Sequence, residues 1–97
     1  MPRLIWSPEA LADIRRHWRF LADRDLEAAK AAVAAIRAGM RMVERHPGMG
    51  RPMEDMPPEF REWPIDYGES GYVAFYHFDG ETALVLRIRH QREAGWR

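Results

Sequence analysis

Tyr72-Val73-Ala74-Phe75-Tyr76-His77-Phe78-Asp79-Gly80-Glu81-Thr82-Ala83-Leu84-Val85-Leu86-Arg87-Ile88-Arg89-His90 is the stretch that decides the fold. Two runs rich in β-branched and aromatic residues flank Asp79-Gly80, a strong hairpin signal. The spacing predicts strands over Tyr72–Phe78 and Thr82–His90. Strict alternation in the second run turns Leu84, Leu86 and Ile88 one way and Val85, Arg87 and Arg89 the other. Just upstream, Gly68-Glu69-Ser70-Gly71 is a turn. Phe60–Tyr67 then reads as a further strand, with Pro64 confining it to an edge or a bulge. Three consecutive strands joined by short turns make an antiparallel meander.

The period changes on the N-terminal side. Gly48 to Pro58 is a loop rich in glycine and proline. Before it, Leu26, Ala29, Val33, Ile36, Met40 and Val43 recur every three or four residues, a helical stripe that stops near His46, ahead of Pro47-Gly48. Alanines at 28, 31, 32, 35 and 38 thin its flanks. Asp23-Arg24-Asp25 is a polar break that can cap this helix. An earlier helix opens at Ser7-Pro8-Glu9, a good N-cap, N1 proline and first-turn acid in succession. Its stripe is Leu11, Ile14, Trp18 and Leu21. The connection is short, so the helices pack antiparallel. Arg3–Trp6 is a first strand. The expectation is a single α+β domain over 1–97, ordered β-α-α-β-β-β, with a helical hairpin on one face of an antiparallel sheet.

Composition narrows the function classes. Ninety-seven residues support one core. No cysteine means no disulfide framework and no thiolate metal site. His17, His46, His77 and His90 lack ligand spacing, and Gly48-Met49-Gly50 follows a helix where a phosphate loop would open one. No cofactor and no metal are expected. No apolar run reaches the length of a membrane span or of a signal-peptide core, so a cytoplasmic location is expected. Fifteen basic and fifteen acidic residues cancel, unlike a domain that grips nucleic acid through its phosphates. Residues 84–97 are locally basic, with Arg87, Arg89, Arg92 and Arg97 against Glu93.

Five patterns run in order through the chain: Ser7-Pro8-Glu9-Ala10-Leu11-Ala12-Asp13-Ile14, His46-Pro47-Gly48-Met49-Gly50-Arg51, Phe60-Arg61-Glu62-Trp63-Pro64-Ile65, Tyr72-Val73-Ala74-Phe75-Tyr76 and Leu86-Arg87-Ile88-Arg89-His90-Gln91-Arg92-Glu93. Together they resemble the RelE/ParE superfamily of toxins from type II toxin–antitoxin systems. The resemblance implies growth arrest or plasmid stabilisation by a toxin that a cognate antitoxin neutralises. The antitoxin would lie against the helical hairpin and add a strand to the sheet. It also implies one of two activities: inhibition of DNA gyrase (the ParE branch), or cleavage of mRNA in the ribosome (the RelE branch). A third reading is a homologue that binds antitoxin without toxicity.

RNA cleavage through the 2′-hydroxyl needs a proton acceptor, a proton donor and cations for the phosphorane. The nuclease branch supplies lysines on the strand before its Tyr-Arg-Leu-Val-Tyr segment and an arginine within it. Here those positions fall near Pro64 and Asp66 and on Val73. Lys30 is the sole lysine and sits in a helix. Arg92 keeps the final position, and a nuclease would have to use His90, Arg92 and Arg61. These departures favour gyrase inhibition without enzymatic chemistry. The target-binding candidates are then Arg87, Arg89, His90, Arg92 and Trp96. Each has a plainer reading too. Arg87 and Arg89 serve equally as solvated strand arginines, His90 as a strand end, Arg92-Glu93 as a surface pair and Arg61 as an edge-strand charge.

Overall fold

The computed structural model describes residues 2–93. Strand β1 (Arg3–Trp6) leads into helices α1 (Pro8–Ala22) and α2 (Leu26–Arg45). After a 3-10 turn at Pro47–Met49 come β2 (Arg51–Pro52), β3 (Phe60–Tyr67), β4 (Ser70–Phe78) and β5 (Thr82–His90). Both helix starts follow from side-chain caps. Ser7 Oγ accepts from Ala10 N at 3.0 Å, and an Asp25 carboxylate oxygen accepts from Ala28 N at 3.2 Å.

The expected α+β layering is present, with two additions. The sheet has five strands in the order β1-β5-β4-β3-β2. It is mixed, because β1 runs parallel to β5, with Arg3 opposite Thr82 and Trp6 opposite Val85. The loop after α2 also holds a two-residue strand, β2, against β3. Between β3 and β4 the turn tightens to Gly68-Glu69, with Tyr67 opposite Ser70. Gly68 takes φ +62 there, a left-handed conformation that costs glycine nothing.

The core lies between the helices and one sheet face. From α2 it takes Ala29, Ala32, Ile36, Met40 and Val43. The sheet adds Ile65, Tyr72, Ala74, Tyr76, Ala83, Val85 and Ile88. Gly39 lets α2 close on β3, since a Cβ there would come within 2.7 Å of the Ile65 side chain.

Three expectations about facing are corrected. In β5 the buried residues are Ala83, Val85 and Ile88, and Leu84 and Leu86 are only half-buried. Phe75 pairs with Arg87 but Tyr76 with Val85, so Leu86 is an extra residue and the alternation changes phase at this bulge. In α1 the buried residues are Ala10, Asp13 and His17, while Leu11 is 42% exposed. Leu26, expected in the α2 stripe, is half-exposed at the hairpin tip, and Ala32 is buried in that helix.

Candidate functional site

Ser7, Asp13 and His17 are the buried polar residues among those described, and all three serve one purpose. Strand β1 stops at Trp6, opposite Val85. Past that point β5 would present bare backbone groups. Helix α1 supplies partners instead. Ser7 Oγ donates to Leu86 O at 3.0 Å. Ile88 N donates to Asp13 Oδ2 at 2.8 Å. His17 Nε2 lies 3.0 Å from Ile88 O, so that nitrogen must carry the proton. Burial pushes the Asp13 carboxyl up, but hydrogen bonds from Arg87 and Ile88 N outweigh it and hold the carboxyl below its ordinary value. Burial pushes His17 down, partly countered by its bond to Ile88.

At the far end of β5, α1 and the β3–β4 turn enclose a cavity of about 870 Å³. Its apolar wall is Phe20, Leu21, Tyr67 and Tyr72. Tyr72 sits edge-on to both His17 and His90, with centroids 4.9 and 5.4 Å away. The His90 ring is fixed by its partners. Arg92 N donates to Nδ1 at 3.1 Å, so in the neutral ring Nε2 bears the hydrogen and donates to Ser70 Oγ at 3.2 Å. Ser70 keeps its own hydroxyl proton to offer elsewhere.

The turn after β5 is tied down from two sides. Arg16 makes a two-pronged bond to the Glu93 carboxylate, at 2.9 and 3.3 Å. Arg89 Nη1 donates to the carbonyls of His90 and Glu93, at 3.3 and 3.0 Å. Arg92, in between, stands exposed at the cavity rim.

The sequence-derived candidates therefore divide. His90 and Arg92 line the cavity together. Arg89 shapes the adjoining turn. Arg87 grips both oxygens of Asp13, at 2.8 and 3.1 Å, and belongs to the β5 edge seal. Arg61 is elsewhere: its Nη1 donates to Gly50 O at 2.7 Å. It pairs with Tyr76, whereas His90 pairs with Tyr72, four residues along β4. That separation is roughly 13 Å of strand. Trp96 lies outside the described residues.

Opposite the helices, Pro64, Val73 and Arg89 lie side by side across β3, β4 and β5. Val73 is 3% exposed. This is the level of the sheet at which the nuclease resemblance expects cationic side chains. Sequence reasoning missed Asp13, His17, Phe20, Tyr67 and Ser70. Asp13 and His17 were detectable in principle, being polar residues one helical turn apart on the same face as Ala10.

The family model for the ParE toxin of type II toxin–antitoxin systems, parDE, matches residues 4–95. The chain belongs to the ParE toxin family. It is similar to two proteins of Caulobacter vibrioides. Toxin RelE3 is 29% identical over 87 residues, covering 90% of this chain and 91% of that protein. Toxin ParE1 is 29% identical over 86 residues, covering 88% and 84%. Solved structures share the fold. The chromosomal ParDE system from P. aeruginosa aligns with a TM-score of 0.74 at 21% identity, over 93% of this chain and 96% of that one. The RelBE2 toxin–antitoxin complex from Mycobacterium tuberculosis aligns at 0.59 and 20% identity, over 94% and 100%. As a ParE-family member the chain is the toxin of a type II toxin–antitoxin pair. No helix among the described residues is long and apolar enough to cross a membrane.

Proposed function

We propose that this toxin arrests growth by binding DNA gyrase, and that a cognate antitoxin holds it inactive. The observation that carries the gyrase reading is the separation of the groups RNA cleavage would need. Arg61 is committed to Gly50 O and lies four strand positions from the His90 level. At the Val73 level the sheet offers Pro64 and a buried valine beside Arg89. His90, held with its proton on Nε2, presents a donor to Ser70 where 2′-hydroxyl attack would need a base. A toxin acting by protein contact needs none of this. It needs an accessible surface held in place, and the turn with half-exposed Arg89 and His90 and exposed Arg92, bonded through Arg16 and Arg89, supports that reading. Support for the antitoxin comes from the structural neighbours, both of which are toxin–antitoxin systems.

Purified toxin added to gyrase and relaxed plasmid should block supercoiling, and Arg92→Glu should relieve the block. Induction of the chain alone should leave transcripts without new 5′ ends. Codon-phased cuts in translated messages, with supercoiling untouched, would transfer the protein to the nuclease branch.

A further inference from the structure

The cavity between α1 and the β3–β4 turn combines an apolar wall with an unbalanced rim. Phe20 is 63% exposed, the most exposed large apolar side chain among the described residues. The Arg24 guanidinium lies over its ring, 5.0 Å from the centroid. Leu21, Tyr67 and Tyr72 continue the wall inward. Arg16 and Glu93 neutralise each other across the rim. That leaves Arg24 and Arg92, neither of which is ion-paired among the described residues, against the single carboxylate of Glu69. Ser70 adds a free hydroxyl proton, since its oxygen already accepts from His90. Donors therefore outnumber acceptors around an apolar floor.

We infer that this cavity seats an apolar side chain of the antitoxin, flanked by a carboxylate that Arg24 and Arg92 receive. The inference rests on the toxin–antitoxin reading above and adds where and how the partner grips. Two observations select a protein segment over a nucleic acid. Overall charge is zero, and the rim holds only two cations not ion-paired among the described residues, Arg24 and Arg92, too few to track a run of phosphates. An aromatic wall with arginines beside it is also the composition of an interface hot spot. An occupant here covers His90 and Arg92, the residues offered to the target, so neutralisation follows from occlusion. Antitoxin and target compete for one surface, and no conformational change of the toxin is required.

The test uses the wild-type toxin and the exposed variants Phe20→Ala and Arg24→Glu, with the cognate antitoxin. Each variant should weaken antitoxin binding about tenfold or more. Growth arrest by the variant toxin alone should persist, and antitoxin rescue should fail. On the free toxin, 3-phenylpropionate should shift the amide resonances of Ser70, His90 and Arg92, while 3-phenylpropylamine should not. Unchanged antitoxin affinity in both variants would overturn the inference. So would equal binding of the amine, stronger binding of 5′-AMP, self-association of the toxin through this face, or loss of toxicity with antitoxin binding intact. A wild-type toxin that the antitoxin neither binds nor neutralises would instead remove the toxin–antitoxin reading itself.

Discussion

Tyr76 carries a hydroxyl into the middle of β4, where the residue has no exposed surface. The hydroxyl donates to Pro47 O at 2.6 Å and accepts from Gly50 N at 3.0 Å. It thus pins both ends of the turn that follows α2, and Arg61 pins the same turn through Gly50 O. Gly50 is required by contact, because a Cβ there would collide with the Tyr76 hydroxyl. Replacing Tyr76 with Phe keeps the ring and strands two backbone groups. A buried group left unpaired costs about 1–3 kcal/mol. Tyr76→Phe should lower the unfolding free energy by about that amount, read as a lower urea midpoint at unchanged slope, while Arg51→Ala on the exposed β2 should change little. The Pro47, Gly50 and Tyr76 positions all fall within patterns quoted from the sequence, yet their shared role was not legible there. The three are brought together by the pairing of β2 with β3 and of β3 with β4, across separations of 26 and 29 residues.

At the scale of elements, α1 has the most to answer for. The sequence supports its span, its cap and its proline, and the boundaries of β5 as well. Its facing is not legible there, because apolarity does not mark the buried side of this helix. Here the buried stripe is Ala10, Asp13 and His17, since the neighbour it packs on is an open strand edge with hydrogen bonds to fill. The β5 facing is not legible for a related reason. A bulge has no signature in an alternating run, and one extra residue at Leu86 reverses every side chain after it.

The edge seal makes stability pH-dependent in a defined direction. His17 has its folded pKa depressed below 6.5, first by burial. The unfolded chain therefore binds the proton more readily, and stability present above 6.5 is lost as pH falls through the folded value. Asp13 is likewise depressed, below 3.8, because the Arg87 and Ile88 bonds overcome its burial. Its contribution is present above 3.8 and is lost at lower pH still. Melting temperature against pH should fall in two stages on the acid side. His17→Gln, which keeps a donor for Ile88 O and has no titration, should flatten the first stage and leave the second. A first stage unchanged in that variant would show that another group controls it.

The whole molecule is neutral but polarised. Residues 48–70 carry Arg51 and Arg61 against Glu54, Asp55, Glu59, Glu62, Asp66 and Glu69. On α2, Lys30, Arg37, Arg41 and Arg45 share an exposed stripe. The architecture also ties the two ends of the chain together, since β1 is held by β5 and by nothing else in the sheet. Removing residues 1–6 would bare the first half of β5 and withdraw Leu4 and Trp6 from the core. Circular dichroism of that truncation should show loss of the cooperative transition. A truncated chain that still melts in one sharp step would show that the β4–β5 hairpin and the helices suffice.

The pairing of the first strand with the last has a temporal side. Sheet order cannot be completed while β5 is still unmade, and β5 occupies residues 82–90 of 97. Translation runs at about 5–20 residues per second, so the chain spends its first several seconds without its final strand. During that interval the β5 edge seal, the His90 ring and the turn bearing Arg92 do not yet exist. The nascent polypeptide thus lacks the surface proposed to meet its target until β5 and the turn after it have been made. A partner already present can meet that surface only from then on.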